Sequence, residues 1–240
     1  MLNFPVNTKS PRNQNERKEL DVVEKLIKDM FQAKAKAEVE GIVPPIITPP
    51  MEWMGQYPIG QKVSEYAKLP YGRVSTIDDA GCGPLAVEYA LRIIGLPVDF
   101  KEIVVECVDK GYRAYIYDEN DNIVDGSGTE YALFDNLATK LDSLEQVIEY
   151  LQKGCPITVL IENKIYHYDD SRKGNHFITL IGIDQWQNCI FMDGNLIVNK
   201  RNPLRALVGK PFKKMAPGFR GVWAWEKEKV QRYLKWGASK

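Results

Sequence analysis

The chain has 240 residues, 44% hydrophobic and 27% charged, with 32 basic side chains against 32 acidic ones. That is material for one sizeable domain with at most an appendage. The balanced charge removes a general electrostatic case for a nucleic-acid or anionic-membrane partner, and no apolar run is long enough to span a bilayer.

The N-terminal residues lack a basic stretch followed by an apolar core, so no signal peptide is visible. Cys82, Cys107, Cys155 and Cys189 form no CxxC pair and show no metal-ligand spacing to His167 or His176. These features predict a cytoplasmic chain with reduced thiols and with no metal or organic cofactor.

From Gln14 to Val39 the pattern is helical, with Leu20, Val23, Ile27, Met30 and Phe31 on one stripe. Gly41 to Pro50 is a Pro-rich extended connector. Residues 1–50 therefore read as an accessory segment, either a packing appendage or an inhibitory helix, and 51–240 as the main domain. Trp53 to Ala80 reads as loop, punctuated by Gly55, Gly60, Pro70 and Gly72.

The next stretch organises the chain. In Gly81-Cys82-Gly83-Pro84-Leu85 and on to Gly95, Pro84 suits a first helical turn and Gly95 a left-handed exit. Only Glu88 and Arg92 interrupt the apolar residues between, as expected of an enclosed helix. A cysteine at its mouth meets unpaired N–H groups and the positive end of the helix dipole, which stabilise a thiolate. The plainer possibility is a core cysteine in a tight turn.

Asp99 to Glu102 forms a capping box for a helix reaching about Lys110. Tyr112 to Val124 predicts a hairpin around Glu119–Asn122, followed by a flexible loop over Asp125–Thr129 and a helix over Glu130–Leu141. Asp142 or Ser143 caps a further helix ending at Gly154. Short β-rich runs then follow at Pro156–Ile161, Phe177–Ile183, Cys189–Met192 and Gly221–Trp225, with a terminal helix from about Glu226. Helices first and antiparallel strands later make an α+β fold.

A cysteine nucleophile needs a base, and the base needs an orienting partner. His176 enters a strand, where its backbone is fixed, whereas His167 sits in a polar loop. Asp193 closes the following strand, and an antiparallel turn over Asp184–Asn188 brings it beside His176. A carboxylate there orients the imidazole and stabilises its cation. Taken singly, His176 and Asp193 are ordinary polar residues; with Cys82 they complete a Cys–His–Asp set.

Gly81-Cys82-Gly83-Pro84 opening an apolar helix, Asn175-His176-Phe177 entering a strand and Phe191-Met192-Asp193 ending one resemble the C39-like branch of the papain-like cysteine peptidases. Pro70-Tyr71-Gly72 and Ser75-Thr76-Ile77 resemble that family's approach to its cysteine, and the likeness runs from about Gln61 to Trp225. It implies a papain-like fold, in which a helical side carrying Cys82 packs on an antiparallel sheet carrying His176 and Asp193. It also implies a glutamine donating to the oxyanion, which Gln61 fits by its distance to Pro70, with Gln56 in reserve. Lys62 to Tyr66 depart from the family's usual Asp-Pro-x-Trp run, and Pro84-Leu85 replaces the more frequent Pro-Thr.

The expected activity is hydrolysis of a peptide or isopeptide bond in a peptide or protein substrate, through an acyl-enzyme. Transpeptidase or amidase acyl transfer on the same site, a non-catalytic peptide-binding module and a purely structural role for Cys82 are the alternatives.

Overall fold

The computed structural model describes residues 44–49, 60–62, 64–96, 99–196 and 207–237. The predicted helix over Gln14–Val39 and the reserve residue Gln56 lie outside the described residues, as do Gly41, Ile42, Val43 and Pro50 of the connector.

Two short helices, α1 (Ser64–Ala67) and α2 (Ile77–Ala80), lead to α3 (Cys82–Ile93) and α4 (Phe100–Asp109). The exit of α3 is as expected, with Gly95 at φ +71° and Leu96 donating to the Leu91 carbonyl at 2.8 Å. Asp99 caps α4 by accepting from the Lys101 N–H at 2.9 Å. Strands β1 (Arg113–Tyr117) and β2 (Ile123–Thr129) then form an antiparallel pair.

Here the structure departs from expectation, because Asp125–Thr129 is strand rather than flexible loop. Its glycines read as loop on composition alone. The buried Arg113 holds the segment instead: it donates to the Gly128 carbonyl, and across the fold to the Tyr71 carbonyl (2.8 Å) and Ser75 Oγ, besides a local bond to the Ala114 carbonyl (2.9 Å). No composition-based signal carries a contact of that range.

The predicted helix over Glu130–Leu141 is shorter than expected. It ends as α5 (Ala132–Leu137), and the chain straightens into β3 (Thr139–Lys140), paired with the last strand. Helix α6 (Leu144–Gln152), capped by Ser143, leads into β4 (Ile157–Glu162), α7 (Asn163–His167), β5 (Asn175–Ile183) and β6 (Asn188–Met192). After a 3-10 turn at Gly194–Leu196 come β7 (Leu207–Pro211), α8 (Phe212–Met215), β8 (Phe219–Ala224) and α9 (Lys227–Gly237).

The larger sheet has the order β3-β8-β4-β5-β6-β7, and every neighbouring pair is antiparallel. Alternation along β4 divides the core. Leu160 faces α3, α4 and α5 with Phe177, Ile181 and Trp223, whereas Ile157, Val159 and Ile161 face α6 and α8 with Ile178, Leu180 and Phe191. Burial of each such aliphatic or aromatic side chain stabilises the fold by roughly 1.5–3 kcal/mol. Helices on both faces of an antiparallel sheet make the protein α+β, compatible with a papain-like arrangement.

Candidate active site

Cys82 is the first residue of α3, with Gly81 before it. Gly83 allows the close approach of β2, since a Cβ there would collide with the Thr129 side chain. Thr129 is itself held by the Tyr71 hydroxyl at 2.8 Å. The opposite wall is β5, which Thr179 Oγ1 ties to α3 by donating to the Ala86 carbonyl at 3.4 Å.

Between these walls Cys82 and His176 come together. Burial opposes the Cys82 thiolate, but hydrogen bonding and charge from His176, together with the Phe177 backbone N–H, outweigh it and lower the thiol pKa. The other three cysteines move the opposite way: burial pushes Cys107, Cys155 and Cys189 up. Cys155 is partly buried like Cys82, so accessibility does not account for the contrast.

His176 and Asp193 form a buried pair, Nε2 lying 2.7 Å from Oδ1. Burial disfavours the imidazolium, yet Asp193 and Cys82 raise the His176 pKa to about 10. Because Nε2 is committed to the carboxylate, Nδ1 is the nitrogen left for the thiol. Asp193 is fully buried, and the positive charge of His176 and its hydrogen-bond donors overcome the desolvation that would raise its pKa, leaving it lowered.

Those donors include two residues that the sequence reasoning missed. The Asn195 backbone N–H donates to Asp193 Oδ1 at 2.8 Å, and the Tyr166 hydroxyl donates to Oδ2. Tyr166 is buried on α7, and Lys210 closes over its ring at 4.1 Å. The stretch Tyr166-His167-Tyr168 reads as polar loop, with no periodicity to place Tyr166 inward, and only the fold of α7 against β6 does so. His167, the weaker of the two histidine candidates, is exposed, and its ring packs edge-on against Tyr166 at 4.9 Å.

Removing the hydroxyl leaves Oδ2 of a dry carboxylate without a donor. Tyr166→Phe is expected to lower unfolding stability by about 1.5–3 kcal/mol in urea titrations. Because the Asp193 pKa is depressed, the deficit is full above the ordinary carboxylate value of 3.8 and fades as pH falls. A loss below about 0.5 kcal/mol would show the contact to be incidental.

Gln61 is buried, with its backbone N–H on the Gly194 carbonyl at 3.0 Å and its Nε2 on the Asp78 carbonyl at 3.0 Å. These bonds seat it between the segment leading into α3 and the turn after Asp193. Its Oε1 is buried and has no hydrogen-bond partner among the described residues. The described residues contain no cluster of His, Cys, Asp and Glu fit to hold a metal ion, and none of their helices is long and apolar enough to cross a membrane.

A model of the Peptidase C39 like family matches residues 61–215, well over half of the chain. A search of curated proteins finds no match.

Proposed function

We propose, from the premise that this chain belongs to the Peptidase C39 like family, that it hydrolyses a peptide or isopeptide bond by covalent catalysis at Cys82. Family membership indicates a cysteine-peptidase-like function in general terms; the residue roles are our assignment. The observation that carries it is the joint placement of Cys82, His176 and Asp193, with the thiol pKa lowered and the imidazole pKa raised.

In this reading the thiolate attacks the scissile carbonyl carbon, a carbon–sulfur bond forms and the carbonyl oxygen takes the negative charge. N–H groups at the first turn of α3, which have no intrahelical partner, and the Gln61 amide stabilise that oxyanion, each such donor being worth about 2.7–4 kcal/mol. His176 then gives its Nδ1 proton to the leaving amine as the carbon–nitrogen bond breaks. Water, deprotonated by the now neutral imidazole, attacks the thioester and releases the acid with regeneration of the thiolate. Asp193 holds the ring through Nε2 throughout and favours its cationic form.

Alkylation tests the assignment. Iodoacetamide at about pH 6 is expected to modify Cys82 well ahead of Cys107, Cys155 and Cys189, because alkylation follows the thiolate fraction and only Cys82 has a lowered pKa among them. Peptide mapping after limited reaction reads the order. Cys82 reacting no faster than the comparably exposed Cys155 rejects the activated thiol, and with it the proposed mechanism.

A further inference from the structure

We propose that the substrate carries an acidic side chain close to the bond under attack, and that this group seats in a basic cavity beginning one residue before His176. The inference rests on the cysteine-peptidase reading and adds to it the chemistry of what the cleft accepts.

The cavity measures about 310 Å³ and is lined chiefly by Glu162, Lys164, Arg172, Lys173, Asn175 and Arg220. Asn175 opens β5 and pairs with Glu162 at the end of β4. His176 is the next residue, and Phe177 directs its backbone N–H at the Cys82 sulfur. Successive Cα atoms lie about 3.8 Å apart, so the cavity starts within a few residues' reach of the nucleophile. A peptide bound with its carbonyl at Cys82 can therefore place a neighbouring side chain there.

Four cations line the cavity and one carboxylate does. Glu162 is engaged by Arg220, with Nε at 3.0 Å and Nη2 at 2.5 Å, and by Lys164 at 3.5 Å. Arg172 reaches Asp169 at 3.5 Å, but both side chains are largely in water, where such a pair is weak. Lys173 makes no ion pair among the described residues. Subtracting Glu162 and Asp169 from the four cations leaves a local excess of two positive charges, in a chain whose net charge is zero.

Arg220 is the most buried of the four cations. Its side chain is 1% exposed and committed to Glu162, so the cations left open to a ligand are the exposed Arg172 and Lys173. An incoming carboxylate pairs with these exposed cations through charge-assisted hydrogen bonds. A neutral side chain in the same place would dehydrate Arg172 and Lys173 without compensation.

The test uses fluorescein-labelled hexapeptides in which one Glu is moved through a neutral background, each with its Gln counterpart. Binding is read by anisotropy on the Cys82→Ala protein, and kcat/KM is read on the protein with Cys82. At one position Glu is expected to bind at least about tenfold more tightly than Gln, and the ratio should shrink as salt rises and screens the charges. The exposed double variant Arg172→Gln/Lys173→Gln should erase that ratio, with neutral peptides binding as before. Equal Kd values for every Glu/Gln pair overturn the proposal, as does cleavage of acidic and neutral peptides with equal kcat/KM; the latter leaves the peptidase reading standing. Glu-selective binding with no cleavage by the Cys82 protein upholds the cavity assignment and overturns the peptidase reading.

Discussion

His176→Ala is expected to lower kcat/KM for a cleaved peptide by about 10³-fold or more, with the far-UV circular dichroism unchanged. General acid–base catalysis by one positioned side chain supplies roughly 10²–10⁴-fold. Here the same imidazole also holds the thiol in its reactive form, so two contributions vanish together. The backbone of residue 176 stays paired with Ile161 in the sheet, which separates chemistry from folding. Alkylation of Cys82 near pH 6 should fall toward that of Cys155 in the same variant. Turnover within about tenfold of the original protein would remove His176 from the mechanism.

The second large effect concerns stability as much as rate. Asp193→Ala is expected to cost about 3–5 kcal/mol in urea unfolding, because it strands a buried imidazolium and leaves the Tyr166 hydroxyl without its acceptor. The pH dependence has two edges. Asp193 has a lowered pKa, so its contribution is present above 3.8 and lost as pH falls. His176 has a raised pKa, so its contribution is full below 6.5 and lost as pH rises through about 10. The gap between the two proteins should therefore be widest from about pH 4 to 6.5 and narrow on either side. A gap that stayed constant from about pH 3 to pH 10 would show that the pair contributes no linked protons.

What the sequence disclosed follows from range. The Cys82 helix is announced by neighbours: Gly81 and Pro84 at one end, Gly95 at the other and apolar residues between. The juxtaposition of His176 and Asp193 needed only one antiparallel turn between β5 and β6, and their side chains lie 2.7 Å apart. Tyr166, Arg113 and the strand character of Asp125–Thr129 depend on contacts across the fold. Arg113 has every mark of a surface residue in sequence, yet it is buried among backbone carbonyls and the rings of Tyr71 and Tyr115. The basic cavity is of the same kind: Glu162, Lys173 and Arg220 meet only because β4, β5 and β8 are neighbours.

The Asp193 carboxylate is held by three donors, from His176, Asn195 and Tyr166. A carboxylate pinned by three donors keeps its bond to the imidazole in place, so the Nε2 hydrogen stays put. All traffic in the proposed reaction then uses a single lane at Nδ1, one hydrogen at a time. Acylation rates measured across mixtures of light and heavy water should accordingly fall on a straight line against deuterium content.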